Sequence, residues 1–122
     1  MIDEFGSARL TASPDPSNWA AKQFFEPDCP ADARERVFAS AARLATKATN
    51  AHLKIKGAPV DGKLAGFGAD LERLLSSYRD AGYDGSISFE SIGEGDLVAP
   101  LAAAREVVQK TIDAVSAKGK NA

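Results

Sequence analysis

The hexapeptide Ala51-His-Leu-Lys-Ile-Lys56 alternates apolar and polar residues at every position. Because successive side chains of a β-strand point to opposite faces, this pattern predicts a strand with one buried and one polar face. A second segment, Ser86-Ile-Ser-Phe-Glu-Ser91, has the same alternation and places Ser88 and Glu90 on its polar face. The sequence therefore predicts two strands that each cover a core with one face only.

Three longer segments repeat apolar residues with the 3.6-residue period of a helix, at residues 31–50, 70–81 and 100 to about 117. Pro30 suits the first turn of the first helix, and Gly82 suits the end of the second. A weaker strand at residues 9–13 precedes them and runs into the turn signal Pro14-Asp-Pro16. A strand followed by a long helix, repeated three times, predicts an α/β fold of parallel βα units.

The polar strand faces favour a closed barrel over an open sheet. In an open parallel sheet helices cover both faces, so its central strands are apolar throughout. In a (β/α)8 barrel helices cover only the outside, and polar residues at the carboxyl ends of the strands line the active site. Such a barrel takes about 250 residues, whereas this chain has 122. We therefore expect three consecutive βα units of a larger barrel.

The composition argues against several classes of protein. Fifteen Lys and Arg against 17 Asp and Glu give no electrostatic reason to bind nucleic acid or an acidic membrane surface. No apolar run approaches the roughly 20 residues of a spanning helix. The single cysteine, Cys29, cannot form an intrachain disulfide. We expect a cytoplasmic protein without a nucleic-acid or membrane partner, and the composition indicates nothing about its chemistry.

Three candidate metal ligands, Asp15, His52 and Glu90, belong to the three predicted strands or follow them directly. Neighbouring parallel strands would bring them together at one end of the sheet. One imidazole and two carboxylates suit Mn²⁺, Co²⁺ or Zn²⁺ better than Mg²⁺. Each residue also has an ordinary interpretation: a half-buried strand histidine, an edge carboxylate, and an aspartate that forms a turn.

Several segments around these residues resemble the last strands of the xylose isomerase-like barrels, the family of sugar phosphate isomerases and epimerases. The resemblance lies in the histidine strand, in Gly66-Phe-Gly68, in Asp15-Pro-Ser-Asn-Trp19 and above all in Ala81-Gly-Tyr-Asp-Gly-Ser-Ile-Ser-Phe-Glu90. It extends from residue 2 to about residue 115. It implies strand 6 and helix 6 at residues 1–50, strand 7 and helix 7 at 51–82, and strand 8 and helix 8 at 83–122.

The resemblance also implies a function and a set of roles. Asp15, His52 and Glu90 would be three of four ligands to a divalent metal (Mn²⁺, Co²⁺, Mg²⁺ or Zn²⁺), the fourth being a glutamate of strand 4, ahead of this segment. Glu90 would also be the catalytic acid or base in the isomerisation or epimerisation of a small sugar, sugar phosphate or polyol through an enediolate. The residues implied in substrate binding are Asn18, Trp19, Lys54 and Lys56.

The sequence departs from the family pattern at three positions. Asn18 stands where many relatives have histidine, Ile55 where they often have aspartate, and Ala58 where some have a substrate-binding arginine. The identity of the substrate within this class therefore cannot be taken from the family. Two alternatives stay open: a non-catalytic or inactive barrel fragment, and an endonuclease IV-like DNA-repair enzyme. As a partial barrel, the chain is expected to self-associate or to pair with a missing N-terminal half of the barrel.

Overall fold

The computed structural model describes residues 13–16, 30–64 and 70–120. Within these ranges the elements follow the order α1 (Ala31–Ala45), β1 (Asn50–Lys56), α2 (Asp70–Asp80), β2 (Ser86–Ile92) and α3 (Val98–Lys120). The predicted α/β class is thus confirmed, with three helices and a two-stranded parallel sheet. The strand predicted at 9–13 lies outside the described residues except for Ser13, which is not in a strand.

The two strands pair in parallel, with His52 opposite Ser88 and Lys54 opposite Glu90. Helix α2 connects them, so β1, α2 and β2 form one βαβ unit. Their shared register puts the polar residues of both strands on the same face of the sheet, because side chains alternate with a period of two.

The helix boundaries differ from the prediction at four places: the end of α1, the end of α2 (Asp80 and not 81), and both ends of α3, which reaches Lys120 and not about 117. The first helix was predicted to reach residue 50, but α1 ends at Ala45 and Asn50 already begins β1. The chain turns there because the N–H of Lys47 bonds the Leu44 carbonyl at 3.0 Å, which tightens the last turn. The third helix begins two residues early, at Val98, because Oδ1 of Asp96 accepts the Val98 N–H at 3.0 Å and caps the helix. None of the described helices is long and apolar enough to cross a membrane.

Residues 13–16 lie along the edge of β1 that faces away from β2. The N–H of His52 donates to the Pro14 carbonyl at 2.9 Å, whereas on the β2 side the Thr49 carbonyl accepts the N–H of Ser86 at 3.1 Å. Backbone groups of neighbouring strand residues point to alternate edges, so these two bonds occupy opposite edges of β1. Pro14 and Pro16 are fully buried. This contact holds Asp15, which lies between the two prolines, beside β1.

One hydrophobic core joins the apolar face of β1 to all three helices. Its buried members are Val37, Phe38, Ala41, Ala45, Ala51, Leu53, Ile55, Leu64, Leu71, Leu74, Leu75, Tyr78, Ala104, Val108 and Val115. The helical members follow the 3.6-residue period, and the strand members follow the period of two. The described helices therefore pack against one face of the sheet, and the polar residues occupy the other face.

The turn between α2 and β2 depends on two glycines. Gly82 has φ +79° and ends α2 as predicted, and the N–H of Tyr83 bonds the Tyr78 carbonyl at 3.0 Å across it. A Cβ on Gly85 would lie 2.7 Å from the carbonyl carbon of Thr49 and 2.8 Å from the hydroxyl of Tyr83. Only glycine allows the chain to enter β2 this close to the start of β1.

Loss of the hydroxyl group should affect the free energy of unfolding differently at two tyrosines in this region. That of Tyr78 is buried without a hydrogen-bond partner among the described residues, whereas that of Tyr83 donates to the Ser86 carbonyl. Tyr78→Phe should therefore leave the free energy of unfolding unchanged or raise it by about 1 kcal/mol, and Tyr83→Phe should lower it by about 1 kcal/mol. Urea denaturation at pH 7 measures both values. Equal losses in the two variants would contradict this assignment.

Tyr78 also makes the stability of the protein depend on pH. Burial, with the negative charges of Tyr83 and Asp15 adding to it, raises the pKa of Tyr78 well above its ordinary value of 10.0. Tyr78 ionises near pH 10 in the unfolded chain but stays protonated at that pH in the folded chain. The contribution of Tyr78 to the free energy of unfolding is therefore complete below pH 10 and is lost as the pH rises further. Denaturation between pH 9 and 11 should show a smaller loss of stability in Tyr78→Phe than in the unsubstituted chain.

Candidate functional site

Three separate segments bring Asp15, His52 and Glu90 together on the polar face of the sheet. Asp15 comes from the segment along the outer edge of β1, His52 from β1 and Glu90 from β2. One possible ligand atom from each lies within 4.8 Å of the other two. The side chain of Asp15 is 8% exposed and that of Glu90 is 57% exposed, so the cluster runs from the interior of the protein to its surface.

The spacing of this cluster can be compared with that of a metal site. Ligand atoms bound at about 2.1 Å to one ion lie no more than about 4.2 Å from one another. A separation of up to 4.8 Å is wider than this by about 0.6 Å, so the ligand atoms would have to approach one another to bind one ion. The donor set, one imidazole and two carboxylates, is one that Zn²⁺, Mn²⁺ and Co²⁺ accept. The three residues therefore fit a divalent ion in chemistry and require a small contraction in geometry.

A lysine lies beside the two carboxylates. Nζ of Lys54 is 3.2 Å from Oδ2 of Asp15 and 3.9 Å from Oε2 of Glu90, and its side chain is 18% exposed. The sequence predicted a substrate-binding role for Lys54, but the structure places its ammonium group against two of the predicted metal ligands. Its positive charge offsets one of the two negative charges at the site.

A second polar cluster lies on the same face, nearer the start of both strands. Oδ1 of Asn50 accepts hydrogen bonds from the hydroxyls of Ser86 and Ser88, each at 2.9 Å. These bonds link β1 to β2 through side chains as well as backbone, and they fix the relative position of the strands beside His52 and Glu90. Both serine hydroxyls donate to the same amide oxygen, and we assign this cluster a positioning role.

Three predicted site residues remain, and the structure describes one of them, Lys56. Asn18 and Trp19 lie outside the described residues. Lys56 is exposed at the last position of β1. Among the residues described, the site is therefore formed by Asp15, His52, Lys54 and Glu90.

Two features of this site were not predicted from the sequence, namely the ion pairs of Lys54 and the hydrogen bonds of Asn50. The alternation of β1 did carry a signal, since Asn50, His52 and Lys54 share one strand face. The missing information was the strand register, which places Lys54 opposite Glu90.

Comparison with known proteins finds no matching family model, no similar curated protein and no similar solved structure. Any function assigned to this chain therefore depends on the geometry of the site and on the resemblance seen in the sequence.

The burial of the two carboxylates predicts unequal effects on stability. Asp15→Asn should lower the free energy of unfolding by about 3 kcal/mol, because it removes the charge of a buried carboxylate that lies 3.2 Å from the mostly buried Lys54 ammonium group. Glu90→Gln should change it by no more than about 1 kcal/mol, because this carboxylate is largely in water. Denaturation in metal-free buffer at pH 7 measures both, and a loss in Glu90→Gln as large as that in Asp15→Asn would contradict the description of the site.

Proposed function

We propose that this chain carries part of a divalent-metal site for the isomerisation or epimerisation of a small sugar, sugar phosphate or polyol. The observation that carries the proposal is the convergence of Asp15, His52 and Glu90 from three segments to within 4.8 Å. The resemblance to the sugar phosphate isomerases and epimerases supplies the class of substrate. Mn²⁺, Co²⁺, Zn²⁺ and Mg²⁺ are the candidate ions, of which Mg²⁺ suits the imidazole least.

The proposal includes a finer assignment of the fold. We assign β1 and β2 to strands 7 and 8 of a (β/α)8 barrel, and the segment that leads to Pro14 to strand 6. Three features support this assignment: the parallel pairing, the packing of the helices against one face, and the position of Pro14 at the outer edge of β1. In such a barrel the polar face would line the interior, and residues near the carboxyl ends of the strands would face the active-site mouth.

The proposed chemistry divides the work among the side chains. A bound divalent ion stabilises the negative charge that develops on the substrate oxygen when a neighbouring C–H bond loses its proton. Asp15, His52 and Glu90 would hold the ion, Asp15 from a buried position and His52 from a half-buried one. Glu90 would also take the proton and return it, because its carboxylate is exposed enough to reach a substrate in the mouth of the site.

One observation favours a non-catalytic alternative. The ammonium group of Lys54 already neutralises part of the charge of Asp15 and Glu90, which is what a purely structural polar face would need. In that case the chain would be a barrel segment without activity. A DNA-repair nuclease is the least favoured alternative, because the chain has one histidine and a net charge of −2.

Metal binding tests the proposal directly. We expect the protein to bind one Mn²⁺ per chain, and the electron paramagnetic resonance signal of free Mn²⁺ measures this stoichiometry. His52→Gln should weaken this binding by more than tenfold, because it removes the nitrogen ligand. Glu106→Gln removes a carboxylate from the exposed surface of α3 and should leave the affinity unchanged. Equal affinities for His52→Gln and Glu106→Gln would overturn the site.

Proton transfer is tested separately from metal binding. With Mn²⁺ or Co²⁺ present, an active preparation should exchange deuterium from heavy water into the carbon next to the carbonyl of an aldose or ketose. Glu90→Gln should reduce this exchange by at least 10²-fold, in line with the contribution of a general acid or base. The preparation should include the N-terminal part of the barrel where it is encoded with this segment. Exchange that persists in Glu90→Gln would remove its catalytic role.

The proposed barrel assignment also predicts association. In the described part of the chain β2 has a strand partner on one edge only, and unpaired backbone groups on an edge favour pairing with another chain. Light scattering during size-exclusion chromatography should therefore give at least twice the monomer mass for this 122-residue chain alone. A monomer that unfolds cooperatively and keeps its mass on dilution would contradict the partial-barrel assignment.

A further inference from the structure

We infer that Lys54 competes with the metal for its ligands: its ammonium group takes the place of the ion between Asp15 and Glu90 and must leave when the ion binds. This inference rests on the proposed metal site and adds a means of regulating its affinity. It is carried by the two ion pairs of Lys54, at 3.2 Å and 3.9 Å, with both carboxylates of the cluster.

The distances leave little room for two cations. An ion that binds Asp15 and Glu90 at about 2.1 Å from each must lie in the gap between these carboxylates, and Nζ of Lys54 already lies within 4 Å of both. Two positive charges a few Å apart in a partly buried site repel strongly. Binding of the ion is therefore an exchange of one cation for another.

The position of Lys54 in the sheet explains why it reaches both carboxylates. It lies opposite Glu90 in the strand register and two residues from His52 on the same face of β1. Asp15 is beside β1 because of the backbone bond between Pro14 and His52. In the metal-free protein the ammonium group thus keeps the two carboxylates near each other, in positions suited to an ion. Because the ion must displace the ammonium group, the same contact lowers the affinity of the site for the ion.

The test compares Mn²⁺ affinity among charge variants of the full chain. Lys54→Met keeps most of the length of the side chain and removes its charge, so it should bind Mn²⁺ about tenfold more tightly, equivalent to about 1.4 kcal/mol. Lys54→Arg keeps the charge and should bind no more tightly than the unsubstituted chain. Lys110→Met removes one positive charge from the exposed surface of α3 and should have no effect.

A second measurement does not depend on one substitution folding well. Without metal, Lys54→Met should melt at a lower temperature, because the buried carboxylate of Asp15 loses its ammonium partner. Saturating Mn²⁺ should then raise the melting temperature of this variant by more than it raises that of the unsubstituted chain. Lys54→Gln should behave in the same way and replaces Lys54→Met if that variant does not fold.

The outcomes separate this inference from the proposed function. Mn²⁺ binding with equal affinity in Lys54→Met, Lys54→Gln and the unsubstituted chain would overturn the competition and leave the metal site standing. Weaker binding in the two neutral variants would also overturn it, since Lys54 would then support the ligands without competing for them. Absence of Mn²⁺ binding in all variants would overturn both the metal site and the competition.

Discussion

The parallel pairing of β1 with β2 is the constraint on which the rest of the structure depends. Because side chains alternate along both strands in the same register, the pairing produces two faces with different composition. Ala51, Leu53 and Ile55 go into the core under the helices, while His52 and Lys54 remain on the polar face. Residues of the core that stabilises the fold and residues of the polar cluster are therefore interleaved on the same seven residues of β1.

The segment around Pro14 extends this constraint beyond the two strands. A backbone hydrogen bond from the N–H of His52 to the Pro14 carbonyl attaches it to the edge of β1, and the intervening Asp15 is buried between two buried prolines. The proline ring fixes the φ angle of Pro14 and of Pro16, and Pro16 also restricts the backbone of Asp15, so the segment has less conformational freedom to lose on folding. The polar face gains a buried carboxylate that neither strand supplies.

Much of this arrangement could be predicted from the sequence, because it depends on short-range periodicity. The alternation at 51–56 and 86–91 predicted both strands, and the 3.6-residue period predicted α2 to within one residue of its end. The end of α1 was missed because alanines at 45 and 48 fit a helix and a turn equally well. The position of Lys54 was missed for a different reason: register joins residues 36 positions apart, and no local pattern encodes it. Side-chain partners in a sheet become known only once the strands are aligned.

The interleaving of core and polar face has a consequence for the evolution of this sequence. Substitutions at the even-numbered positions of β1 alter the chemistry of the polar face while the odd-numbered positions, which fill the core, are left as they are. Insertion or deletion of one residue before His52 has the opposite effect, because it would exchange the two faces and bury the polar side chains. Point mutations can therefore alter the polar side chains of β1 one at a time, whereas a change of length within the strand would move its core residues onto the polar face.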